Sequence, residues 1–348
     1  MTRDEQYMQR CLDLAKEGLG STAPNPMVGS VIVHDGQIIG EGYHQVYGGP
    51  HAEVNAIRSV KDQSLLAFST LYVNLEPCSH HGKTPPCADL IIEKKIPRVV
   101  IGAIDCNEKV CGNGVELMQN AGIKTTINIL EKECRELNRR FYTFHEKKRP
   151  YVILKWAQTK DDFIDIIRKP GMPVQPTWIS DEASLTLVHK WRTEEQAIMV
   201  GTNTALNDNP KLTARLWKGR NPVRIVLDRT LRLPAGLALF DGSQQTIVFT
   251  EKKTADRSNV EFITVPFDES LIRSVMHTLA EKKIQSVIIE GGSMLLNSLI
   301  GQNAWDEIRV FRSHKTFGEG LKAPVLNAEP VSREQLTDSV LEIYRKPV

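Results

Sequence analysis

The sequence predicts a two-domain α/β protein, and three observations carry that expectation. Segments of strand character alternate with segments of helical period along both halves, the pattern of helix-covered sheets that are at least partly parallel. The 348 residues exceed the usual size of a single domain. All six cysteines (Cys11, Cys78, Cys87, Cys106, Cys111 and Cys134) lie in the first half, so the halves differ in chemistry.

In chain order, Thr2 with Glu5 forms a capping-box pattern, and Met8, Cys11, Leu12 and Ala15 repeat at helical period, which predicts a helix over residues 3–18. "APNPMVG" breaks it. "MVGSVIV" and "QIIGEGY" flank the turn "HDG" as a hairpin, with Gly36 free to take a positive φ. "HAEVNAIRSV" then reads as helix, "STLYVNL" as strand, "CADLIIEKKI" as helix stopped by Pro97, and "RVVIGAI" as strand. A charged stretch ending at Pro150 marks the boundary, dividing the chain into residues 1–146 and 147–348. Beyond it come strand "YVILKWA", helix "DEASLTLVHKWR", strands "QAIMVG", "PVRIVLD" and "QTIVFT", helix "ESLIRSVMHTLAEKK", strand "SVIIE", helix "SMLLNSLI" and strand "EIRVFR".

A formal charge of +2, with both signs interspersed, argues against a nucleic-acid partner and for a small molecule. The first residues lack a basic region followed by an apolar block, and no stretch approaches the roughly 18–20 apolar residues of a membrane span, so a cytoplasmic protein without membrane contact is expected. Cysteines confined to one half of such a chain point to thiol or metal chemistry ahead of disulfides.

His51 and Glu53 stand at the start of a helix, and "EPCSHHGKTPPC" follows. Catalytic zinc takes three protein ligands and keeps one position open, and His51, Cys78 and Cys87 supply that set. Glu53 is then available to carry a proton between water and a leaving amine. His-x-Glu followed by Pro-Cys and a second Cys is the order found in zinc deaminases of nucleobases, although eight residues separate the cysteines here where two are usual. A structural zinc would want a fourth ligand, for which His80, His81, Cys106 and Cys111 are nominal candidates. Lys83 and Thr84, on the Gly- and Pro-constrained loop between the cysteines, could hold a substrate phosphate. In the second half, "SVIIEGGSMLLNSL" ends a buried strand at Glu290 and begins a helix at Ser293, so free amides beside two glycines suit a dinucleotide phosphate.

The stretches "APNPMVGSVIV", "GGPHAEVNAI", "LEPCSHHGKTPPC" and "DCNEKVCGNGVELMQNAGI" resemble the deaminase domain of the bifunctional riboflavin-biosynthesis deaminase-reductases. The resemblance implies a cytidine-deaminase-like α/β sandwich with Zn2+ on His51, Cys78 and Cys87 and with Glu53 as proton shuttle. It places Asn25, His44, His80, Lys83 and Thr84 on a diaminopyrimidinone bearing a ribosylamino 5-phosphate. "WISDEASLTLVHKWR", "AIMVGTNTALNDNPKLTAR", "NPVRIVLDRTLRLP" and "SVIIEGGSMLLNSLI" are similar to the family's dihydrofolate-reductase-like domain. There the resemblance implies NADPH on Gln158, Trp178, Thr204, Asp208, Gly292 and Ser293, and substrate on Arg192, Leu212, Arg215 and Glu290. Arg192 and Arg215 are expected phosphate clamps, and Arg224 and Arg229 are rival readers of the cofactor's 2′-phosphate.

The sequence departs from the family pattern in three places. Asp105-Cys106-Asn107-Glu108 replaces Asp-Pro-Asn-Pro, Asp162 replaces a glycine, and Pro176 replaces a serine. The expected activity is hydrolytic deamination of the pyrimidine followed by NADPH-dependent reduction of the ribosyl chain to ribityl, in a homo-oligomer. The alternatives are a deaminase of free or polynucleotide bases, or a deaminase whose second domain is a noncatalytic nucleotide-binding or assembly module.

Overall fold

Hydrogen-bonded capping at Thr2 starts the chain's first helix in the computed structural model, which describes residues 1–80, 85–107, 111–169 and 171–346. Two compact units divide it, Met1–Lys148 and Arg149–Pro347.

In the first unit, α1 (Arg3–Lys16) buries the expected stripe of Met8, Cys11, Leu12 and Ala15. It ends two residues before the expected 18, and a side chain at the following Gly18 would strike the His44 carbonyl oxygen at 2.7 Å, so the chain's close approach there demands glycine. The hairpin β1 (Gly29–His34) and β2 (Gln37–Tyr43) turns at Gly36, whose φ is +76°. α2 (Ala52–Ser59), β3 (Thr70–Leu75), α3 (Cys87–Glu93), β4 (Arg98–Ala103), α4 (Asn113–Asn120), β5 (Lys124–Thr126), α5 (Glu131–Leu137) and α6 (Arg139–Lys147) follow. The sheet runs β2-β1-β3-β4-β5, antiparallel through the hairpin and β3, and parallel from β3 to β5. Its two faces carry separate cores, one under α2, α3 and α4, the other under α1, α5 and α6.

The second unit comprises β6 (Tyr151–Gln158), β7 (Phe163–Asp165), α7 (Glu182–Glu194), β8 (Ala197–Gly201), α8 (Thr202–Asp208), β9 (Val223–Leu227), β10 (Thr246–Thr250), β11 (Val260–Thr264), α9 (Leu271–Glu281), β12 (Ser286–Ile289), α10 (Ser293–Gly301), β13 (Glu307–Ser313), β14 (Leu321–Lys322), β15 (Ser332–Gln335) and β16 (Ser339–Arg345). Its main sheet runs β11-β10-β9-β8-β12-β6-β13-β16-β15, parallel from β11 to β13 and antiparallel at β16 and β15. Strands buried on both faces read as continuous apolar runs, which is why β6, β8, β9, β10 and β12 were legible. The half-exposed β11 and the edge strand β15 lack that signal, and neither was expected. Nor was β16, although Val340, Leu341, Ile343 and Tyr344 give it an apolar run.

Candidate active sites

His51 caps α2 in extended conformation and Glu53 follows in the first helical turn, so one side chain leaves the helix entrance while the other enters the interior. Cys78 lies beyond the end of β3, and Cys87 opens α3, donating its backbone N–H to the Cys78 sulfur at 3.4 Å. The His51 Nδ1 sits 3.5 Å from Cys78 Sγ and 3.4 Å from Cys87 Sγ. Ordinary Zn–N and Zn–S lengths at a tetrahedral angle put N and S about 3.6 Å apart, so the donors fit zinc. Among the described residues the group has these three donors; Cys106, Cys111 and the exposed His80 are not part of it. His81, Lys83 and Thr84 lie outside the described residues.

Glu53 is 3% exposed, and burial raises its carboxyl to about 7, with His51 pulling the other way. Hydrogen bonding from Cys87 lowers the Cys78 thiol to about 4. His44 bonds the Pro50 carbonyl through Nδ1 at 2.9 Å, which leaves Nε2 to accept from the Asn25 amide at 3.1 Å. Burial lowers the His44 pKa, consistent with that neutral form. The Asn25 segment is tied down next door, where Asn74 and Asn138 each donate to the Met27 carbonyl, at 3.1 and 2.9 Å.

Glu76, one residue before Pro77-Cys78, was not singled out by the sequence. Its buried carboxylate accepts from the amides of Asp105, Gly112, Gly114 and Val115 at 3.3, 3.0, 2.9 and 3.2 Å. It therefore joins the strand end that carries Cys78 to the loop after β4 and to the start of α4, where backbone N–H groups favour an anion. A side chain at Gly114 would meet the Pro77 carbonyl at 2.1 Å, so the close approach demands glycine.

The second unit holds a cleft of about 1130 Å³ reached by the carboxyl ends of β8, β9 and β12, the usual ligand position in such sheets. Trp178, Thr204, Asp208, Gly292 and Ser293 line it, as do Arg192, Leu212, Arg215 and Glu290. Gln158 does not: it is buried, accepting from Trp156 Nε1 at 2.7 Å and donating to Asp162. Arg224 and Arg229 also lie off the cleft wall. Arg224 is buried on Asp241 and Ser243, and Arg229 pairs with Glu251 at 2.8 Å.

The residues fit a dinucleotide. Gly292 caps α10 without a side-chain bond, and a Cβ there would crowd the Thr204 hydroxyl at 3.0 Å. Gly291 has a φ of +125°, which favours glycine, so bare backbone and helix-start amides face the cleft.

Arg192 is not a free clamp. It grips Glu290 through two bonds, 2.9 and 2.7 Å, and donates to the Thr213 carbonyl at 3.0 Å. Burial pushes the Glu290 carboxyl up, but Arg192 and Lys155 outweigh it and hold it at about 2. Lys155, 3.9 Å from Glu290, is itself lowered by burial. Its signal was present in the sequence, a lone charge inside the apolar strand "YVILKWA". Burial raises Asp208 to about 6 against the pull of Arg168, which bonds it at 3.0 Å and also holds Asp165. The glycine missing at position 162 costs little backbone geometry, because Asp162 takes the left-handed conformation itself, with φ +64°. Pro176 lines the cleft with no hydroxyl to offer, and the neighbouring Thr177 hydroxyl is spent on Asp165 at 2.6 Å.

Fold and sites together define a two-domain enzyme, a hydrolytic deaminase of the zinc type followed by a nucleotide-dependent reductase. Residues 1–103 match the cytidine and deoxycytidylate deaminase zinc-binding region, and residues 150–342 match the RibD C-terminal domain. The chain is 39% identical to the riboflavin biosynthesis protein RibD of Aquifex aeolicus over 91% of this chain and 89% of that one. It is 37% identical to RibD of Bacillus amyloliquefaciens over 94% and 88%. Among solved structures, the diaminohydroxyphosphoribosylaminopyrimidine deaminase/5-amino-6-(5-phosphoribosylamino)uracil reductase of Thermotoga maritima superimposes with TM-score 0.88 and 41% identity, covering 99% of this chain and 98% of that one. Acinetobacter baumannii RibD gives 0.86 and 31%, with 98% of each chain covered.

The chain belongs to the RibD family of bifunctional riboflavin-biosynthesis enzymes, with a zinc-dependent, cytidine-deaminase-like domain followed by an NADPH-dependent, dihydrofolate-reductase-like domain. Among the described residues no helix is long and apolar enough to cross a membrane.

Proposed function

We propose that residues 1–146 deaminate 2,5-diamino-6-(5-phosphoribosylamino)pyrimidin-4(3H)-one and that residues 147–348 reduce the product's ribosyl chain to ribityl. The observation that carries this reading is the convergence of His51, Cys78 and Cys87 beside the buried carboxyl of Glu53, on a chain whose second unit has a dinucleotide-sized cleft.

His51, Cys78 and Cys87 hold the zinc, which supplies the Lewis acidity that makes water a nucleophile near neutral pH. Glu53 takes a proton from the attacking water and returns it to the departing amine, a role worth roughly 10²- to 10⁴-fold. Asn25 and His44 fix one edge of the pyrimidine, each held by the other and His44 also by the Pro50 carbonyl. His80, Lys83 and Thr84 complete the substrate contacts, the last two at the phosphate.

In the second unit, Trp178, Thr204, Asp208, Gly292 and Ser293 seat NADPH, the hydride source, and Gln158 supports that wall through Trp156. Glu290 is held ionised by Arg192 and Lys155 and receives the N–H edge of the pyrimidine, next to Leu212. Arg215 is exposed and has no hydrogen bond or ion pair among the described residues, and with the neighbouring Lys211 it is a cation available to the phosphate. We assign the protein to the cytoplasm as a homo-oligomer acting on a small phosphorylated pyrimidine, with no nucleic-acid or membrane partner.

One coupled assay tests the whole reading. Zinc-loaded protein is given the diaminopyrimidinone phosphate and NADPH, and ammonia release is followed together with loss of reduced-nicotinamide absorbance. Ammonia first and NADPH oxidation after it is the expected order. Ammonia without NADPH oxidation would refute the reductase half, and no ammonia would refute the substrate.

A further inference from the structure

α7 turns Val188, His189 and Trp191 inward, and His189 is only 2% exposed although it lines the reductase cleft. Its ring Nδ1 is buried and has no hydrogen-bond partner. The Thr213 backbone lies near the ring, and its carbonyl receives Arg192 at 3.0 Å. A buried polar atom left unmatched is unfavourable, so the open valence calls for a partner, and the cleft that the residue lines is where one can arrive.

The surroundings define that partner. Burial, with Arg192 and Arg215 nearby, lowers the ring to about 4, so near neutral pH it is an uncharged acceptor and needs an O–H or N–H. Arg192 is occupied by Glu290, whereas Arg215 is available to an anion. A fully ionised phosphate at Arg215 has no proton to donate, but the sugar chain that carries it has hydroxyls.

We propose that His189 is a substrate-binding residue of the reductase site, its Nδ1 accepting a hydrogen bond from a hydroxyl of the ribosyl chain whose phosphate pairs with Arg215. The inference rests on the reductase reading above and adds to it a residue that fixes the sugar. The imidazole sorts substrates by what the sugar presents, and NADPH is untouched by it.

Three variants test the contact. His189→Leu removes both nitrogens, His189→Asn places an amide where Nδ1 stands, and His189→Gln places one where Nε2 stands. Each full-length protein is given NADPH and the deaminated pyrimidine, KM and kcat are measured separately, and thermal melting reports folding. The expected result for Leu is a KM for the pyrimidine raised about tenfold, the equivalent of one such bond, with the KM for NADPH unchanged. Asn recovers most of the loss and Gln does not. Recovery by Gln and not Asn would overturn the proposal in favour of a role for Nε2, and an unchanged KM in the Leu variant would overturn it outright. If the Leu protein fails to fold, the Asn and Gln pair decides. A wild-type protein that binds NADPH and never oxidises it would defeat the reductase reading itself, whereas normal wild-type turnover with indifferent variants would defeat only this contact.

Discussion

The two sites solve the problem of buried charge in opposite ways. In the first unit the donors converge within 4.8 Å of one another, as suits a single dication. In the second, a cleft of about 1130 Å³ spreads its charges and neutralises them internally, Glu290 on Arg192 and Lys155, Asp208 on Arg168. A site built for a metal places its residues around one point, whereas this cleft for two organic ligands holds its buried acids against cations of its own. The first kind is rigid by coordination and the second by ion pairing, so the two should fail differently.

The sharpest separation comes from Glu53→Gln. It should lower ammonia release by 10²- to 10⁴-fold while zinc content, measured by metal analysis, stays the same. The same protein, given the deaminated pyrimidine directly, should oxidise NADPH at the wild-type rate. Loss of both activities together would erase the distinction between the units.

Next in size is Glu290→Ala. Removing one partner strands Arg192 and Lys155 in a buried setting, which costs about 3–5 kcal/mol and should appear as a lower urea midpoint for the second unit alone. Ammonia release should persist at temperatures where NADPH oxidation has gone.

Glu76→Ala reverses the assignment. The amides it caps lose their acceptor, so the first unit should lose about 1–3 kcal/mol, read as an earlier thermal transition while the second unit melts as before.

The smallest effect is a pH slope. His189 has a folded pKa of about 4, below its unfolded value of about 6.5, so the unfolded chain binds the proton first. Its contribution to stability is complete above the unfolded value and is lost as pH falls towards the folded one. Denaturant midpoints of the second unit should decline across that window, and His189→Asn should flatten the decline.

How much of each site could be read from the sequence follows from the same contrast. His51, Glu53, Cys78 and Cys87 lie in two short segments whose spacing already implies coordination, and the structure brings them together. The cleft draws on β6, α7, β8, α8 and β12, so its members become neighbours only once a parallel sheet aligns the strand ends. A single sequence does not announce which arginine is committed. Arg192, Arg224 and Arg229 all resembled free cations, and each is held by an acidic partner. Glu76, His189 and Arg168 escaped notice because their meaning lies in distant backbone groups and neighbours, such as the amides around Asp105 and Gly114 or the carbonyl of Thr213.

The carboxylate cradle at Glu76 also bears on how this enzyme can change over generations. Asp105 and Gly112 are the two stems of the loop after β4, and both bond to a residue that belongs to neither. An anchor of that kind does not come from prolines, so Cys106 can follow Asp105 where the family pattern has one; Glu108 lies outside the described residues. That makes Cys106 and Asn107 raw material: they can be randomised in a library while the ring of amides around Glu76, and the strand end beside it that carries Cys78, is inherited unchanged.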